Sequence, residues 1–135
     1  MTRINCVPVQ TLSSKHLVAE WHEIGRVVTM VERQIDKKGK INSVPANYCM
    51  GKGHMQFFAN KLGWIAWRIG ALHREMMRRR YKIDGKKYAD LNIRIDRLVY
   101  KKKHENVKWH PSKKDVKLNY ERLFERDEKH YVEMV

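Results

Sequence analysis

The sequence predicts an all-α fold, one compact domain of three main helices joined by loops. Two apolar series step by three and four residues, and a third begins at a helix-start signature, while no stretch alternates apolar and polar residues as a half-buried strand does. At 135 residues the chain can bury one core but is too short to divide into two.

The first helix follows from Leu17, Val18, Trp21, Ile24, Val27, Val28, Val31 and Ile35, an apolar stripe at helical spacing. Ser13 or Ser14 can cap its start. Lys37 and Lys38 suit the negative end of the helix dipole, and Gly39 suits the left-handed turn that stops it. Residues 40–52 read as a loop, with Asn42, Ser43, Pro45 and the Gly51-Lys52-Gly53 turn. Phe58, Leu62, Ile65, Ile69, Leu72 and Met76 define the second helix, which runs into Arg78-Arg79-Arg80 and breaks near Asp84-Gly85. Residues 88–100 fit neither period, because Ile93, Ile95 and Leu98 do not share one face, and they read as a short helix or an extended connector. The third helix opens at Ser112-x-x-Asp115, a capping box, and carries Val116, Tyr120, Leu123 and Phe124.

Charge narrows the function. Lys and Arg number 29 against 15 Asp and Glu, a formal net charge of +14, and residues 74–103 hold twelve of those cations against four acids. Such an excess is the footprint of a protein that sits on a polyanion, with nucleic acid as the default partner. A hydrophobic content of 42% that includes four Trp argues for a folded domain over a basic tail. No apolar run approaches a spanning helix and no signal-peptide core opens the chain, so neither a membrane nor secretion is expected. The expected location is the cytoplasm, or wherever the host DNA resides, nucleoid or nucleus. Cys6 and Cys49 stand in no ligand spacing and read as reduced, buried thiols. The scattered His residues offer no metal site, Cys49 with His54 being a weak pair, and no cofactor is expected.

Two features carry chemistry. Removal of Met1 leaves Thr2 with the chain's α-amine, whose pKa of about 7.7–8.0 lies some two units below that of lysine, so part of it is nucleophilic at neutral pH. Such an amine can attack a sugar C1′ and hold it as an imine. A carboxyl group must then move protons, and Glu20, Glu23 and Arg26 share a helix face at i, i+3 spacing, where Arg26 can orient Glu23. His16 and His22 flank them. A surface Glu-x-x-Arg is also the ordinary form of a solvated ion pair.

The order Met1-Thr2-Arg3-Ile4-Asn5, His16-Leu17-x-Ala19-Glu20 and Glu23-x-x-Arg26-Val27, followed by Gly51-x-Gly53-His54 and Phe57-Phe58-x-x-Lys61-Leu62, resembles the bacteriophage endonuclease V family of pyrimidine-dimer DNA glycosylases over about residues 1–83. Arg122-Leu123-x-Glu125-Arg126 is similar to a segment of that family's last helix, with Arg126 in place of lysine. The resemblance implies an N-terminal segment packed near the helix core and two linked activities on double-stranded DNA with ultraviolet damage. One cuts the glycosidic bond of a cyclobutane pyrimidine dimer, and the other breaks the strand by β-elimination. It makes Thr2 the nucleophile, Glu23 the acid/base group and Arg26 a supporting residue, with Arg3, His16, His22, Arg122 and Arg126 as DNA contacts, in a monomer that needs no protein partner. His22 departs from the family's usual arginine, exchanging a permanent cation for an imidazole. The family's Trp- and Tyr-rich tail is also missing, leaving His130 and Tyr131, the latter either a stacking group or an exposed tail residue.

Plainer roles stand beside these. His54 can be a core residue at a helix start or a DNA contact, Trp64 and Trp67 read as packing groups, and Arg78–Arg80 can be a solvated helix end or a phosphate contact. A non-enzymatic basic helical DNA- or RNA-binding protein would share the composition but would leave Thr2, Glu23 and Arg26 unexplained. A nuclease acting through metal-activated water lacks a ligand cluster.

Overall fold

The computed structural model describes residues 4–135, and among these residues all regular structure is helical. A short 3₁₀ turn at Val9–Thr11 precedes seven helices: α1 (Ser14–Glu23), α2 (Gly25–Lys38), α3 (His54–Phe57), α4 (Leu62–Arg78), α5 (Lys86–Asp96), α6 (Lys113–Arg126) and α7 (Glu128–Tyr131). The three helices expected from sequence are therefore too few, for identifiable reasons.

The first apolar stripe is real, but the helix under it is broken. Leu17, Trp21, Ile24, Val27, Val28 and Val31 are all buried, yet α1 ends at Glu23 and α2 starts at Gly25. Ile24 keeps a right-handed conformation, and the Val27 N–H bonds back to the Ile24 carbonyl at 3.3 Å, a tightened three-residue turn. A Cβ on Gly25 would lie 3.2 Å from a methyl of Leu91, so the glycine is where α5 comes closest to the joint. Ser13 caps α1, its side chain accepting the His16 N–H. Gly39 closes α2 at φ 74°, a conformation that glycine adopts without a Cβ clash.

The second helix starts one turn later than its stripe. Phe58 is fully buried but belongs to the end of α3, and α4 begins at Leu62. The residues that fit neither period form α5, running on into a π-type turn at Arg97–Lys101. Its buried face is Leu91, Ile95 and Leu98, a spacing of four and three that the exposed Ile93 concealed. The capping box of α6 forms as expected, with the Asp115 N–H on Ser112 Oγ and the Ser112 N–H on Asp115 Oδ2.

α4 is the central helix, packed against α1 on one side and α5 on the other. Across its N-terminal end lie Tyr48, Phe57, Phe58, Trp64 and Trp109 in edge and stacked contacts, an aromatic cluster within the core. Trp67 departs from its expected packing role and stands 57% exposed. Tyr131 is the reverse case. It is not an exposed tail residue but is wholly buried, its hydroxyl accepting the Ser13 N–H at 2.9 Å and contacting His16 Nδ1 at 2.7 Å. Both cysteines carry free thiols. Cys6 is buried as expected and burial pushes its thiol up to about 12, which keeps it protonated and inert. Cys49 is only half-buried.

The arginine run ending α4 is partly structural. Buried Glu75 accepts from Arg78 Nε at 2.9 Å and Arg79 Nε at 2.8 Å, and Arg79 also donates to the Leu12 carbonyl. The Arg78 and Arg79 guanidinium groups hold the Glu75 carboxyl down at about 2, against the cost of burial. Because the folded value lies below the unfolded one, this contribution is complete above about pH 4.5 and lost as pH falls towards 2. Glu75→Gln should lower the melting temperature at pH 7 and flatten the fall in stability between pH 4.5 and 2, as followed by thermal melts across that range.

Candidate functional site

A non-helical segment runs through the core before α1, and its backbone must find hydrogen bonds that no helix supplies. Ile4, Asn5, Cys6 and Val7 are all buried. The Ile4 N–H donates to His54 Nε2 at 2.7 Å, and the same ring contacts the Cys49 carbonyl through Nδ1 at 2.8 Å. Since Nε2 accepts, the proton sits on Nδ1 and faces that carbonyl. Asn119 of α6 accepts both the Cys6 and Val7 N–H groups on one oxygen, at 2.7 and 3.2 Å. Arg68 of α4 donates to the Val7 carbonyl at 2.6 Å. Every one of these partners lies at least 50 residues away in the chain.

The same side chains hold Glu20. Its carboxylate takes Arg68 Nε at 2.8 Å and a terminal Arg68 nitrogen at 3.0 Å, and Asn5 Nδ2 donates to it at 2.9 Å. Asn119 Nδ2 completes the chain by donating to Asn5 Oδ1 at 2.8 Å. Arg68 and Glu20 are each 1% exposed, so the pair is a two-pronged buried ion pair with its remaining bonds filled. Glu20 is thus engaged inside the protein. It fixes the rotation of α1, and with it the direction of Glu23 one turn later.

Glu23, half-buried at the last position of α1, lines a cavity of about 240 Å³ with Asn5, Lys15, His16, Glu20, Arg122 and Arg126. The structure therefore brings together five of the residues singled out from sequence, Glu20, Glu23, His16, Arg122 and Arg126, from two helices about one hundred residues apart. Arg122 and Arg126 are one turn apart on α6. Lys15 adds a third cation. His16 stacks on Tyr131 with ring centroids 5.5 Å apart, and burial pushes its pKa below the usual histidine value, with Asp127 opposing.

Other expected members are not among the described residues that line this cavity. The break at Ile24 puts Arg26 on α2, where it lines a separate cavity of about 490 Å³ with Thr29, Met30, Arg33, Gln34 and Met55. The single helix face expected for Glu20, Glu23 and Arg26 is therefore divided between two helices. His22 is exposed on α1 and is not among the residues lining the Glu23 cavity. Thr2 and Arg3 lie outside the described residues. Among the described residues no group of three or more His, Cys, Asp or Glu is placed to hold a metal ion, and no helix is long and apolar enough to cross a membrane.

Sequence reading missed Arg68 and Asn119, although each left a trace. Arg68 sits on the buried face of α4 between Ile65 and Ile69, and Asn119 continues the spacing of Val116 and Leu123. A lone polar residue on an apolar face is a reason to look for a buried partner. His54 takes the core role that was one of its two readings.

Arg68→Met would leave the Glu20 carboxylate and the Val7 carbonyl buried without their donor, at a cost of about 3–5 kcal/mol. Urea unfolding should show that loss, and the double variant Arg68→Met/Glu20→Leu should recover part of it.

In a comparison with protein families, the family model described as pyrimidine dimer DNA glycosylase matches residues 1–89 of the 135. The matched span contains the N-terminal segment, α1 to α4 and the first turn of α5, and with them Glu20, Glu23, His54 and Arg68. It ends before α6.

Proposed function

The chain belongs to the pyrimidine dimer DNA glycosylase family, and on that premise we propose that it cuts damaged double-stranded DNA by a glycosylase step linked to a lyase step, through an imine on the Thr2 amine. The observation that carries the reading is the cavity in which the Glu23 carboxylate meets Lys15, Arg122 and Arg126 beside Asn5. Asn5 is three residues after Thr2, a span of chain no longer than about 11 Å.

In this reaction the Thr2 nitrogen bonds to C1′ of the damaged nucleotide as the glycosidic bond breaks, and the base leaves with the bonding electrons. The nitrogen loses a proton and the sugar ring opens, giving the C=N bond, with Glu23 passing a proton to the ring oxygen. Glu23 then accepts the C2′ proton, and elimination expels the 3′ phosphate. Water hydrolyses the imine and frees the amine. An imine makes the C2′ proton acidic, so one covalent link serves both bond cleavages.

The cations suit a phosphate backbone flanking the reacting sugar. Arg122 and Arg126, spaced one helical turn apart, with Lys15 opposite, supply charge that any DNA sequence satisfies. Arg26 is assigned as the residue that supports Glu23, and Arg3 and His22 as further backbone contacts. The protein acts as a monomer on this scheme. Glu20 has a positioning role, because Arg68 already engages its carboxylate.

Mixing the protein with ultraviolet-irradiated duplex DNA and sodium borohydride, in the presence of a chelator, should trap a covalent protein–DNA adduct at the N-terminal residue. A protein that only binds DNA would yield none. Glu23→Gln should retain duplex binding within about twofold while turnover falls at least 100-fold, in line with the usual contribution of a general acid–base group. Full turnover in that variant would remove Glu23 from the mechanism.

A further inference from the structure

A second cleft opens on the other side of the N-terminal segment. Asn5 lines the Glu23 cavity, whereas Cys6, the next residue, lines a hollow of about 580 Å³ walled by Trp64, Trp67 and Trp109 with Lys108 and His110 at its rim. The indoles of Trp64 and Trp109 meet edge to face at 4.9 Å and 74°, and Trp67 lies 6.0 Å from Trp64. The far wall is tied down, since the Val107 N–H donates to the Asn60 carbonyl at 2.7 Å and the Gly63 N–H donates to Asn106 Oδ1 at 3.0 Å. Cys6 and Trp67 also line an adjoining hollow of about 450 Å³ that carries Arg74 and Arg78. Aromatic surface at one end and guanidinium groups at the other are thus joined through one exposed indole.

That combination matches a particular polymer. Bases within a duplex are stacked on each other and present only their edges, so they cannot enter a cleft between indoles. Unpaired bases can stack there while cations follow the phosphates. The one carboxylate beside Arg74 and Arg78, Glu75, is already held by Arg78 and Arg79, which leaves the exposed Arg74 and Lys108 to set the sign of the field. We propose that this cleft is a second nucleic-acid site, which takes unpaired bases of a single DNA strand on Trp67 and Trp109 and their phosphates on Lys108 and Arg74. It goes beyond the lesion chemistry and does not depend on it.

Trp67 is exposed, so Trp67→Ala should fold normally, with an unchanged melting temperature. Its affinity for a 12-residue oligothymidine, read by fluorescence anisotropy, should fall roughly 10-fold, the usual loss for one stacked base. Trp67→Phe should recover most of that affinity. Lys108→Ala should reduce the slope of log affinity against log salt by about 0.7, as for one phosphate contact on a single strand. Cutting of irradiated duplex should change by less than twofold in both alanine variants, and this reading separates failure of the cleft from failure of the imine mechanism. Equal oligothymidine affinity in wild type and Trp67→Ala would overturn the proposal, as would equal binding of an abasic oligomer of the same length. The cleft would then serve another partner, such as an apolar peptide.

Discussion

A chain segment without helical hydrogen bonds lies in the middle of this protein, and the rest of the architecture is arranged to satisfy it. Residues 4–7 bring backbone donors and acceptors into an apolar interior, where each unmet group would cost about 1–3 kcal/mol. His54, Asn119, Tyr48 and Arg68 meet that demand from four different parts of the chain. The loop before α3, the position of α6 and the polar residue within α4 are all consequences. A helix there would have filled its own bonds, whereas residues 5–7 are bonded to α1, α4 and α6.

Charge is divided between structure and surface by the same logic. Glu20 and Glu75, both buried, are engaged by Arg68 and by Arg78 with Arg79. Glu32 pairs with Arg94, which bridges α2 and α5. Glu20 and Glu32 thus tie one helix to another, while Glu75 pairs within α4. The net charge of +14 therefore appears mainly as exposed lysine and arginine, which is the distribution that a phosphate backbone requires. Glu23 differs from Glu20, Glu32 and Glu75 in lying at a helix end, where it is half-buried and lines a cavity rich in cations.

The N-terminal segment also separates two surfaces of different character. The side that Asn5 faces is polar and cationic, built around carboxylates from one helical turn of α1. The side that Cys6 faces is aromatic, and burial holds its thiol protonated. A short segment clamped from both directions can keep these surfaces apart in so small a domain, because neither has to be built on a mobile loop.

Much could be read from the chain alone. Apolar spacing located the buried faces of α1, α2, α4 and α6, the capping box located the start of α6, and the order of short motifs near the N-terminus pointed to the family that the comparison then matched. These features are local, since spacing and caps act within a few residues. Other features depended on distant partners. Leu91 packs beside the break at Ile24, and α5 was obscured because Ile93 points to solvent. Tyr131 is buried because Ser13 and His16 await its hydroxyl, and Glu20 is structural because Arg68 reaches it across 48 residues. The convergence of Glu23 with Arg122 and Arg126 belongs to the same class. Sequence supplied the chemical groups and their periodicity, but burial and pairing are properties of the assembled fold, because the energy of a charge or a backbone amide is set by whatever surrounds it in space.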